Sequence, residues 1–122
     1  MVHVLSAEWG WLSRCGGQER GPRLNHADYP TIESLIDTWN KVEVHQRESF
    51  SKLKDDDLAR DIEYTIVPPE KRSMPLGELM HHAVTHGVHH RGQVALLLRL
   101  LGYAPGNFDI LLYYAEKRGV SA

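Results

Sequence analysis

Five of the eight histidines, His81, His82, His86, His89 and His90, fall within ten consecutive residues. On an α-helix, residues four apart lie one above the other on the same face. His86 and His90 can therefore direct their imidazoles at one point, which is a metal-ligand spacing. The pair alone leaves two readings open, a divalent ion held by neutral imidazoles or a hydrogen-bonded pair of core histidines. The zinc-protease motif puts Glu immediately after the first of two such histidines, and here that residue is Gly87. A glycine at that point lets a neighbouring helix or a bound group approach the backbone, at about 1 kcal/mol in helix propensity relative to Ala.

A third ligand has to come from another element, because one straight helix rarely wraps three imidazoles around a tetrahedral centre. His3 is the candidate. It shares a helix face with Ala7 and Gly10, small residues that would let its helix pack close to the His86/His90 seam. His82 and His89 flank the seam and, with Gln93, are expected to line the pocket or support the ligands. His81 is expected to point outward, and His26 and His45 to be solvated. Three neutral imidazoles leave a tetrahedral zinc ion one open position, the arrangement of a catalytic site. Water or a thiolate could fill it, since such an ion brings the pKa of water to about 7 and deprotonates a thiol outright. No acid or base partner stands out. Glu8 is expected on another face of its helix, and Arg91 to point outward.

These side chains need helices to hold them. The stretch from His3 to about Arg14 reads as a helix ending at Gly16-Gly17, where paired glycines favour a left-handed exit. Thr31 is a candidate N-cap for a long amphipathic helix carrying Ile32, Leu35, Ile36, Trp39, Val42, Phe50 and Leu53. Asp55-Asp56-Asp57 breaks that pattern. Ile62 to Val67 is β-branched enough to be extended before Pro68-Pro69, and is expected to be an irregular excursion without a sheet. Pro75 suits the first turn of a helix reaching about Leu101 and stopping at Gly102. On it, Leu79, Ala83, His86, His90, Val94, Leu97 and Leu101 share one stripe, while Thr85, Ala95 and Arg99 point elsewhere. Asn107 as N-cap and Gly119 as stop bound a last helix.

Length and composition set the outer limits. A chain of 122 residues fits a single domain over 1–122, and 42% hydrophobic with 25% charged residues suits a folded globular protein. A net charge of -2 gives no basic footprint for phosphate backbones, so nucleic acid is not an expected partner. The longest apolar run, Val94 to Leu98, is far short of the roughly 20 residues of a membrane span, and no signal-peptide pattern opens the chain. A cytoplasmic location is expected. The lone Cys15 cannot form an internal disulfide and excludes a cysteine-rich zinc module.

The run His82-Ala-Val-Thr-His86-Gly-Val-His-His90-Arg-Gly-Gln93, with Leu101-Gly102 and Asp109-Ile-Leu-Leu-Tyr113-Tyr114 after it, resembles the DinB/YfiT-like superfamily. The opening His3-Val-Leu-Ser-Ala-Glu8-Trp-Gly-Trp-Leu12 is similar to that family's second helix, and 55–65 to its inter-helix segment. The resemblance spans essentially the whole chain. It implies an all-α fold of the four-helix-bundle type, here lacking the usual first helix, with His3, His86 and His90 as metal ligands. Zinc or nickel is the implied metal. A low-molecular-weight thiol such as mycothiol or bacillithiol is the implied cosubstrate of an S-transferase, isomerase or hydrolase acting on a small molecule. A non-catalytic, stress-related protein with a structural metal is the alternative. A bundle short of one wall would expose an apolar groove, so a homodimer or swapped assembly, or else a shortened chain, is expected.

Overall fold

The computed structural model of the chain describes residues 1–18, 23–66 and 68–120. Among them are four α-helices, α1 (Val2–Cys15), α2 (Ile32–Phe50), α3 (Leu76–Leu100) and α4 (Ile110–Lys117), and two strands, β1 (Asp61–Thr65) and β2 (Lys71–Pro75). The fold is mainly helical, as expected. No helix among the described residues is long and apolar enough to cross a membrane.

Local chemistry accounts for most boundaries. Thr31 caps α2, its Oγ1 accepting from the Ser34 backbone N–H at 3.2 Å. α1 begins at Met1, which offers no side-chain acceptor, and its exit passes through Gly17 at φ +78°. α4 is capped by Asp109, whose carboxylate accepts from the Leu111 N–H at 3.0 Å. The predicted cap, Asn107, lies one step earlier and accepts from the Asp109 N–H at 3.0 Å, forming a turn that delivers the chain to the helix.

One expectation is overturned. The segment after the Asp run is an ordered antiparallel hairpin, with Ile62 opposite Met74 and Tyr64 opposite Arg72. β1 alternates exposed Asp61 and Glu63 with buried Ile62 and half-buried Tyr64, the two-residue period of a strand with one covered face. Its partner Lys-Arg-Ser-Met-Pro carries too little β-branched or alternating signal to be read from sequence. Pro75 accordingly ends β2, and α3 starts one residue later, where the Leu76 N–H donates to the Arg60 carbonyl at 2.8 Å.

By its contacts the chain divides into two compact units, Met1–Arg91 and Gly92–Ala122. The first has two apolar clusters. Leu5, Leu35 and Val42 join α1 to α2, with Trp9 and Trp39 against them. Cys15, Ile62, Leu76 and Leu79 join the end of α1, the hairpin and the start of α3. Burying each leucine fully contributes roughly 1.5–3 kcal/mol. These two clusters fix α1, and hence His3, within this unit.

The second unit contains the end of α3, a glycine exit at Gly102 (φ +85°) and α4. Here the predicted stripe fails. Leu97 and Leu101 are exposed, whereas Ala95 is buried. The sequence Val94-Ala-Leu-Leu-Leu-Arg-Leu-Leu101 is apolar almost all round, so its periodicity does not single out one face.

Candidate metal centre

The first turn of α1 supplies His3, and two successive turns in the middle of α3 supply His86 and His90. Each offers a ring nitrogen, and the three nitrogens lie within 4.8 Å of one another. His86 Nε2 and His90 Nε2 are 3.2 Å apart. The His3 ring centre is 5.3 Å from that of His86 and 4.7 Å from that of His90. Zinc–imidazole bonds of about 2.0–2.1 Å in a tetrahedron set ligand nitrogens roughly 3.3 Å apart, a spacing the His86–His90 pair already has, while the His3 nitrogen lies within 4.8 Å of both. His86 and His90 are half-buried and His3 is exposed. Burial, then the neighbouring imidazoles of His90, His3, His82 and His89, holds the His86 pKa below its ordinary value. That favours the neutral, ligating form. The donor set, three nitrogens and no carboxylate, suits zinc, nickel, copper or iron.

The other histidines separate. His82 meets the Trp11 ring at 4.9 Å, nearly perpendicular, and lies 5.8 Å from the His86 ring. His89 is exposed, with its ring 5.2 Å from His90. Gln93 is exposed on the next turn of α3, and His81 and His26 are exposed as expected. His45 is a correction: it is half-buried, with Nε2 2.7 Å from Gln18 Oε1. It sits three residues after the buried Val42, close enough in helical phase to share part of that covered flank.

Ala7 and Gly10, on the helix face of His3, line a cavity of about 210 Å³ together with His3 and His86. Arg91, though exposed, folds its guanidinium back over Gly87, with Nη1 2.9 Å from where a β-carbon would stand. Gly87 therefore makes room for the Arg91 guanidinium. Arg91 shares a second cavity, about 170 Å³, with Glu8. Burial pushes the Glu8 carboxyl above its ordinary pKa, while the Arg91 charge and a hydrogen bond with the Trp39 side chain draw it back. Glu8 thus faces away from the histidines, as predicted.

The chain matches the sequence profile of the DinB family over residues 1–119. It belongs to the DinB family. Among curated proteins of similar sequence, it is 29% identical over 109 residues to the uncharacterized protein YizA of Bacillus subtilis (strain 168), covering 86% of this chain and 64% of YizA. It is 24% identical over 120 residues to Protein DinB of the same organism, covering 93% of this chain and 69% of that protein. The chain thus spans about two thirds of the length of these curated relatives.

Among the residues sequence reasoning missed are Trp11, Arg14 and Arg23, which line the cavity beside His3 and His86. Arg14 was within reach. The face His3, Ala7, Gly10 continues at helical spacing to Arg14. Arg23 comes from a loop, where no periodicity exists to reveal it.

Proposed function

We propose that this DinB family protein holds one divalent metal ion, zinc or nickel, through His3, His86 and His90, and that it is a metal-dependent enzyme acting on a small molecule. The observation that carries the reading is the convergence of three imidazole nitrogens from two helices within 4.8 Å of one another. When bound, such an ion is a Lewis acid that makes a small thiol or a water molecule nucleophilic near neutral pH. The reaction class is transfer, isomerisation or hydrolysis, with a low-molecular-weight thiol as cosubstrate. The protein's own part is to bind and orient. Trp11 holds His82 edge-on beside His86. His89 and Gln93 are the side chains we assign to supporting a ligand or the substrate.

A structural metal is the second reading, and one observation favours it. α1 is anchored to the hairpin and α3 at its Cys15 end and to α2 through Leu5 near its His3 end. An ion would add a direct tie between that end and α3.

The test is elemental analysis of protein purified without a histidine tag, followed by His86→Ala and His90→Ala. About one equivalent of metal per chain is expected, lost in each variant. Retention of metal by both variants would end the proposal. Turnover or thiol binding only in the metal-loaded protein supports the enzyme. Metal-dependent stability with neither supports the structural reading.

A further inference from the structure

A further cavity, of about 420 Å³, is bounded by α1, the hairpin and the start of α3, and its size falls within the 300–1,000 Å³ of small-molecule sites. Leu79, only 1% exposed, lies at its base, and Trp11, Tyr64 and Met74 form its apolar sides. The Trp11 and Tyr64 rings meet at 75° with centres 5.3 Å apart, which makes an aromatic corner. Glu78 and His82, one turn apart on α3, bring polar groups to the same space, and both are exposed. With histidine neutral, Glu78 is the only formal charge among the described lining residues. The cations nearby are directed elsewhere. Arg72, opposite Tyr64 in the hairpin, has Nη2 3.3 Å from Glu70 Oε2, and Lys71 Nζ lies 3.9 Å from Glu63 Oε2. Arg14 stacks on Trp11 at 4.8 Å but lines the neighbouring cavity.

We infer that this cavity binds a small organic amine, its ammonium group against the Glu78 carboxylate and its apolar body on Trp11, Tyr64 and Met74. A wholly apolar ligand would take water from Glu78 without replacing it, and an anion would be repelled. An amine pairs with the carboxylate while its body covers aromatic surface. The cavity adjoins the histidine cluster through His82, whose ring lies 5.8 Å from that of His86. The inference names the substrate class for the proposed metal centre, and rests on that reading only in calling the amine a substrate. Its capture by the cavity needs no metal.

The experiment is isothermal titration of phenethylamine, the neutral phenethyl alcohol and the anionic hydrocinnamate into protein stripped of metal by chelator. The amine should bind about tenfold or more tighter than the alcohol, and hydrocinnamate should be weakest. Glu78→Gln should bring the amine down to about the affinity of the alcohol and leave the alcohol unchanged. Tyr64→Leu should weaken both. Glu63→Gln, on the other face of β1 and outside the cavity lining, should change neither. Because Glu78 is exposed in the first turn of α3, Glu78→Gln decides the matter even where Tyr64→Leu perturbs folding. His90 also lies outside the lining, so His90→Ala should abolish metal uptake while sparing amine binding, which separates failure of the two readings. Equal affinity of the amine and either other probe, amine binding untouched by Glu78→Gln, or no binding of the amine would each overturn the inference.

Discussion

His86 Nε2 lies 3.2 Å from His90 Nε2, with the two rings inclined at 66°. Without a metal, one ring must donate and the other accept across that gap. An ion would replace this single shared hydrogen bond with two ligand bonds and recruit His3 as the third. Saturating metal is therefore expected to raise the melting temperature, by about 2.7 kcal/mol of stability at a free ion concentration of 100 times Kd. Chelator should reverse the shift in calorimetry. His86→Ala and His90→Ala should melt at the same temperature with or without metal. A wild-type melting point indifferent to metal would refute the assignment.

Glu8 supplies a pH signature independent of the histidines. Its folded-state pKa is raised, chiefly by burial, so the native protein binds its proton more tightly than the unfolded chain does. The stability this contributes is fully present below the unfolded carboxyl pKa, near 4.5, and is lost as pH rises through the folded value. Glu8→Gln should flatten that fall in urea denaturation series run from about pH 4 to 7. Arg91→Ala should steepen it, because the Arg91 charge holds the Glu8 pKa down.

Cys15 is fully buried, and burial pushes its thiol pKa up. It should resist alkylation in the native protein at pH 8 and react completely after denaturation, as followed by intact mass. Cys15→Ser would bury a hydroxyl in an apolar cluster and is expected to cost about 1–3 kcal/mol. Rapid native labelling would contradict the packing at the end of α1.

Leu5→Ala should cost about 2–5 kcal/mol, since Leu5 is fully buried against Leu35 and Val42. Its position two residues from His3 gives a second readout. If α1 holds the ligand in place through this cluster, metal affinity should fall together with stability. An unchanged affinity would show that His3 is positioned by other contacts.

How much of this could be read from residues alone depended on the kind of signal. His86 and His90 were legible because a fixed helical spacing brings them together, and His3 because its helix face carries small residues. The hairpin was not legible. Its second strand, Lys71–Pro75, is polar on most positions and is held by its pairing with β1, a contact that no local pattern encodes. Arg91 escaped for a related reason: helical phase gives where Cβ points, but four rotatable bonds let the guanidinium return over Gly87. The stripe on α3 was reliable where polar residues bounded it and failed beyond Val94, where they do not.

Within the Gly92–Ala122 unit, Leu100, Leu101 and Leu111 are 75%, 72% and 67% exposed, and Phe108 is 60% exposed. Soluble proteins rarely leave apolar patches of more than a few hundred Å² in water. Self-association of this chain into a homodimer is expected in sedimentation velocity, and Leu100→Glu combined with Leu111→Glu should abolish it. A wild-type protein that stays monomeric at its highest soluble concentration would rule the dimer out.

The helix carrying His3 starts without a side-chain cap, so the turn that bears this ligand is held by backbone bonds such as those from the Val4 and Leu5 N–H groups to the Met1 carbonyl, at 2.9 and 3.2 Å. Uncapped first turns open far more often than the body of a helix does. Escape of an ion would then follow the unwinding of a single turn of α1, leaving the rest folded. Exchange of the ion would be fast on the timescale of global unfolding, and a good N-cap residue introduced at position 1 would slow it.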